Sequence, residues 1–190
     1  VQPRIPRQPG QDQGGIHADD DAGLGAELAA VVAGARRRAV RDGDRQVDTA
    51  HLLHSLIEND PEVRGVIGDA QLARLLGYLV QRSIGYGLRW QSGIEDSGAL
   101  PALTSPEGKG DGGWSPVAAA AVEYARSRAR RRGAARAHGV DLLAGLVGDP
   151  QSRAVEVLER AGVAARELAV RIDGDDGLRE PGLENRTSSR

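Results

Sequence analysis

The chain has no Cys, no Met and no Phe, and aromatic residues make up 3% of its 190 positions. Without Cys there can be no disulfide, no thiolate metal site and no cysteine nucleophile. Without Phe or Met, the core has to be built from Leu, Val, Ile and abundant Ala, a set that suits closely packed helices better than a sheet. Long apolar runs are missing too, which excludes a transmembrane helix and a secretory signal and makes the cytoplasm the default location. A charge of one sign is also lacking: 25 basic and 27 acidic residues leave a formal net charge of −2, so the whole chain has no strong pull toward nucleic acid or an anionic membrane.

What the chain does have is a stretch that occurs twice. ARRRAVRDGDRQVDTAHLLHSL, from Ala35 to Leu56, returns ninety positions later as ARSRARRRGAARAHGVDLLAGL, from Ala125 to Leu146. Of the 22 aligned positions nine are identical, among them Gly43/Gly133, Leu52/Leu142, Leu53/Leu143 and Leu56/Leu146. A shared Ala/Arg bias would not keep a Gly and three Leu in register, so the pattern is an internal duplication.

Each half reads as four helices. Leu24, Leu28, Val31, Val32, Ala35 and Ala39 lie on one helical face that Gly43 ends. Asp48 or Thr49 caps a helix carrying Leu52, Leu53, Leu56 and Ile57; Pro61 breaks it and starts another, and Leu72, Leu75, Leu76, Leu79 and Val80 form the face of a fourth. In the second half Ser115-Pro116 opens a helix with Val117, Ala121, Tyr124, Ala125 and Arg128 on one side, ended by Gly133. A helix with Val140, Leu142, Leu143, Leu146 and Val147 follows, then one with Ala154, Val157, Leu158 and Ala161, then a last over Ala164 to Ile172. The expectation is an all-α, eight-helix bundle with a pseudo-twofold axis. It divides into a disordered tail over residues 1–22, a first repeat over 23–84, a mobile Gly- and Pro-rich connector over 85–114, a second repeat over 115–172 and a disordered tail over 173–190.

Chemistry finds little footing. Glu107-Gly108-Lys109-Gly110 lacks both the upstream Gly and the hydroxyl residue of a phosphate-binding loop. His51 and His54 stand three apart on one helix without an identifiable third metal ligand, which makes His51 a satisfied structural residue and His54 a surface one. Gly113-Trp114-Ser115-Pro116-Val117 has Val where a nucleophile elbow requires its second Gly, so Ser115 is a helix cap. The arginine runs at Arg36–Arg41 and Arg126–Arg132 offer a nucleic-acid alternative in which Arg126, Arg130 and Arg131 meet phosphates; negative net charge and few stacking aromatics argue against it.

Two copies of a long helix, a Gly, a helix of the Thr-x-His-Leu-Leu-x-x-Leu kind, a helix ending near Gly-Val and a closing helix resemble the Clp repeat, the N-terminal domain of the ClpA/ClpC class of AAA+ unfoldases. Trp114-Ser115-Pro116 looks like the family's aromatic-Thr-Pro opening of its second repeat, and Leu158 to Val163 looks like its Val-Leu-x-x-x-Gly-Val element. The resemblance covers Gly25 to Ile172 and implies binding rather than catalysis, with no cofactor or metal: a monomeric protein- or peptide-binding module that receives substrates, adaptors or small-molecule ligands of the Clp proteolytic system. It leaves open an adaptor, a decoy or a degenerate fragment of a Clp ATPase subunit; the polar sequence after Asp173 favours a natural end over a truncated linker.

The resemblance also nominates binding positions. Clp repeats that recognise phosphorylated arginine resemble one another in having a Glu before the helix-start His and a Thr at the cap of each repeat's first helix, and such carboxylates suit a guanidinium fork. The matching positions in this chain are Ala50 and Val140 for the Glu, His51 and Asp141 for the His, and Gly25 and Ser115 for the cap. Asp141 stands one residue late, turned by about 100° around the helix from the position of the missing Glu. The expectation is weak or absent phosphoarginine binding and a preference shifted toward apolar or protein surfaces around Ala50 and Val140.

Overall fold

The computed structural model describes residues 23–44, 46–81, 95 and 113–178. The expected tail at 1–22, the part of the expected tail at 173–190 beyond 178, and most of the expected connector lie outside the described residues. Those residues form eight helices: α1 (Ala26–Asp42), α2 (Thr49–Asn59), α3 (Pro61–Ile67), α4 (Asp69–Gln81), α5 (Pro116–Arg131), α6 (Gly139–Gly148), α7 (Arg153–Arg160) and α8 (Ala165–Leu178). No strand occurs among the described residues, and none of their helices is long and apolar enough to cross a membrane.

The boundaries follow from local chemistry. Gly43 and Gly133 end α1 and α5 with φ of 76° and 71°, a left-handed conformation open to residues without Cβ. Asp48 caps α2 by accepting the His51 backbone N–H, Asp60 caps α3 ahead of Pro61, and Ser115 caps α5 ahead of Pro116. The last helix departs from expectation. It runs on through the acidic stretch to Leu178 instead of stopping at Ile172, because nothing in Asp173 to Leu178 breaks a helix as Pro would.

A pseudo-twofold relation appears in the backbone pairing. Leu24 bridges Ala137 and Val47 bridges Trp114; ninety added to Leu24 gives Trp114 and ninety subtracted from Ala137 gives Val47, so each pair is the other with the repeats exchanged. The hydrogen bonds repeat in the same way: Gly25 N–H to Ala137 O (2.9 Å) and Ala137 N–H to Gly23 O (2.9 Å) in one place, Ser115 N–H to Val47 O (2.8 Å) and Val47 N–H to Gly113 O (2.8 Å) in the other. Each repeat thus pairs the entry to its first helix with the entry to the other repeat's second helix.

Helices α2 and α6 occupy the centre. Each packs mainly on the first helix of its own repeat, α1 or α5, and reaches across to the other repeat, α2 to α7 and α6 to α3. Leu52, Leu53, Leu56, Leu142, Leu143 and Leu146 are all 0% exposed. Two faces are narrower than their periodicity suggests: Val80 on α4 and Tyr124 on α5 are exposed, so those helices bury a stripe that leaves out its flanking positions. Small residues set the spacing elsewhere. A Cβ at Gly145 of α6 would come within 2.6 Å of the Ala121 carbonyl oxygen on α5, so this contact admits no side chain.

Candidate ligand-binding seam

The six positions matched to the family's binding residues, Gly25, Ala50, His51, Ser115, Val140 and Asp141, all come to the seam between the repeats, and all six are buried. Ala50 and Val140 are each 5% exposed, so their own side chains offer little surface to a ligand. The cause is their place in the first turn of α2 and α6, the helices that both repeats pack around. Gly25 lies against the Ala137 carbonyl and His138, at the entry to α6. Ser115 is bound to Val47 at the entry to α2, and its hydroxyl accepts the Ala118 N–H at 3.1 Å.

His51 and Asp141 play the same role with different chemistry. His51 completes a capping box: its backbone N–H donates to Asp48 Oδ1 (2.8 Å), and the Asp48 N–H donates to His51 Nδ1 (3.2 Å). On its outer side Nε2 stands 3.1 Å from Asp44 and 3.9 Å from Asp42. In the second repeat the Asp141 carboxylate accepts the His138 backbone N–H at 2.9 Å, is hydrogen-bonded by Arg132, and lies 3.8 Å from Arg128. Position 42 corresponds to 132 and position 51 to 141, so the duplication keeps the pairing but reverses its polarity: acid beside imidazole in one half, guanidinium beside acid in the other. Asp141 is thus engaged by Arg132 and the His138 backbone inside the fold.

Across the seam, Arg153 Nη1 meets Asp48 Oδ2 at 2.7 Å. Burial works against the Asp48 carboxylate, but the hydrogen bond and charge of His51, with the Arg153 guanidinium, outweigh it and bring its pKa from 3.8 down to about 2. His54 is not the surface residue the sequence suggests. Its side chain is 15% exposed and 3.3 Å from Glu58, and burial together with the Arg38 charge lowers its pKa from 6.5 to about 4. Among the described residues, no group of three His, Cys, Asp or Glu side chains could hold a metal.

Much of the arginine run on α5 is occupied within the chain. Arg130 bonds Glu123 at 2.8 Å, Arg126 lies 3.5 Å from the same carboxylate, and Arg131 bonds Ser127 and lies over the Tyr124 ring. Arg128 is buried at 4% exposure, with one nitrogen 3.5 Å from Asp173.

Sequence reasoning missed one seam residue, Glu95. It belongs to the stretch read as a mobile connector, yet its side chain is buried between the two repeats. A lone Glu among Gly, Ser and Asp carries no periodic signal, because its partners are 20 to 58 residues away.

The eight-helix arrangement has known counterparts. The N-terminal domain of the caseinolytic protease associated chaperone ClpD from Arabidopsis thaliana is similar over 82% of this chain and 95% of its own, with a TM-score of 0.58 and 20% identity. The fold is that of a Clp N-terminal domain. A structure from preliminary structural investigations of a malarial protein secretion system is similar over 80% of this chain and 94% of its own, with a TM-score of 0.55 and 13% identity. No protein-family model and no curated protein matches the chain. The double Clp repeat is thus shared in shape while most side chains differ.

Proposed function

We propose that the chain is a non-catalytic binding module of the Clp N-terminal type, which takes protein or peptide partners of the Clp proteolytic system: substrates, adaptors, or small molecules that bind such domains. The observation that supports this reading most is the exchanged backbone pairing, Leu24 with Ala137 and Val47 with Trp114, which makes the two repeats one body of the Clp N-domain kind. Polar groups at the seam are engaged in caps and ion pairs, and among the described residues no nucleophile–base pair at the seam suggests a reaction. The intrachain pairing of Arg126, Arg130 and Arg131 also weighs against a phosphate-tracking surface on α5.

Phosphoarginine is not the ligand on this reading. Ala50 and Val140 supply no carboxylate for a guanidinium, and Asp141 is committed to His138 and Arg132. Calorimetric titration with phosphoarginine is expected to give no heat of binding, whereas micromolar affinity would show that another residue has replaced the missing Glu. ATP turnover by the purified chain, abolished by changing one of its own residues, would overturn the non-catalytic half of the proposal.

A further inference from the structure

One carboxylate in the seam comes from outside the helices, and its setting is that of a bound ligand. Each oxygen of Glu95 accepts two hydrogen bonds. Oε2 takes the Thr49 backbone N–H and the Ser115 hydroxyl, both at 2.9 Å; Oε1 takes the Arg153 backbone N–H at 2.7 Å and the Thr49 hydroxyl. Thr49 and Arg153 are the first residues of α2 and α7, so both N–H groups belong to first turns whose dipoles favour an anion. The hydroxyls are shielded, Thr49 at 0% and Ser115 at 1% exposure.

None of the three helices needs Glu95 as its cap. Asp48 caps α2, Ser115 caps α5 and Ser152 caps α7. The four donors are what remains after those caps are complete, and they converge on one planar two-oxygen anion.

The other half of the duplication supplies an independent sign that this locus requires a carboxylate. Asp60, the N-cap of α3, accepts the Glu62 and Val63 N–H groups through Oδ1, as its counterpart Ser152 accepts the Val155 N–H at the start of α7. Thr49 corresponds to Gly139, and the other Asp60 oxygen fills the space a Cβ would take there, 1.9 Å from its ideal position. The first repeat thus meets the requirement from its own sequence. The second cannot, because the N-cap that matches Asp60 is Ser152, which has no carboxylate.

We propose that Thr49, Ser115 and the first turn of α7 form a carboxylate-binding site, and that Glu95 is its intramolecular ligand, standing in for the carboxylate that Ser152, the N-cap of α7, does not supply. The chemical class the site takes is a carboxylate, here supplied by the chain itself. This is independent of the binding role proposed above, since it concerns an occupant the chain carries.

The test is chemical rescue in the full chain. Thermal melts of the wild type and Glu95→Ala are compared in sodium acetate and sodium chloride at equal ionic strength. In chloride the variant is expected to melt about 4–10 °C lower, as the loss of charged hydrogen bonds predicts for a chain of this length. Acetate should recover part of that loss in the variant and leave the wild type unchanged. Equal midpoints in chloride, or an equal acetate effect on both proteins, would overturn the assignment. If Glu95→Ala does not fold in either salt, Glu95→Gln decides: its amide fills the space but turns an NH2 toward the donors, so a lowered midpoint without acetate response is expected and a wild-type midpoint refutes the site.

Discussion

Arg153 Nη1 and Asp48 Oδ2 lie 2.7 Å apart, which ties the first residue of α7 in the second repeat to the N-cap of α2 in the first. The Asp48 side chain is 2% exposed and that of Arg153 16%, so this is a shielded pair and not a surface one. Removing one partner of such a pair takes away much of the other's compensation, at a cost of up to about 3–5 kcal/mol. Arg153→Ala and Asp48→Asn are each expected to lower the unfolding free energy by amounts in that range, and the double variant by much less than their sum. A double-mutant cycle in chemical denaturation measures this, and simple additivity would show that the pair contributes nothing.

The leucines of the central helices give a second expectation. Leu53 and Leu143 are both 0% exposed and occupy equivalent places in α2 and α6. Replacing either with Ala removes buried apolar volume and leaves a cavity, which costs about 2–5 kcal/mol. Denaturant midpoints should fall for both; an unchanged midpoint for either would contradict its place in the core.

Stability should also fall in acid, in two windows. The pKa of His54 is about 4 in the fold against an ordinary 6.5, so the unfolded chain takes up the proton first. Its share of stability is intact above about pH 6.5 and is lost as the pH falls toward 4. Asp48 is depressed from 3.8 to about 2, so its share is present above 3.8 and is lost as the pH falls toward 2. Denaturation across this range is expected to show both declines. Substituting Gln at His54 should flatten the upper one alone, and a slope that persists in that variant would assign it to another group.

The reversed pair at the entries to α2 and α6 allows a swap. Asp141 is 0% exposed and holds both the His138 N–H and Arg132, so Asp141→His alone is expected to destabilise by leaving Arg132 beside an imidazole. Adding Arg132→Asp rebuilds the first repeat's combination of Asp42 and His51. Thermal melts of the single and double variants should show partial recovery in the double, and its absence would mean that the two sites are not interchangeable.

The fold was legible because its signals are local. Gly43, Gly133, Asp48, Pro61 and the Ser115-Pro116 pair mark helix ends by their own backbone chemistry, and the leucine register marks the buried faces. The seam was legible only in part. The Ser115-Pro116 pair marked Ser115 as a cap, but matching positions could not reveal that the Ala50 and Val140 side chains would be buried, since that depends on how the repeats exchange their entries. His54 was misread for a similar reason: one polar residue on a helix says nothing about its burial or about the Arg38 charge that acts on it. Glu95 was invisible because its four donors come from three separate helices.

Binding to partners of the Clp system is tested most directly by competition. Adaptor-dependent degradation of a labelled protein substrate by a Clp unfoldase and its protease is followed while purified chain is added. If the chain shares ligands with the unfoldase, the rate should fall in a saturable way as chain is added, and the chain itself should neither consume ATP nor be needed for the protease to work. A degradation rate that stays constant at every concentration of added chain would contradict it.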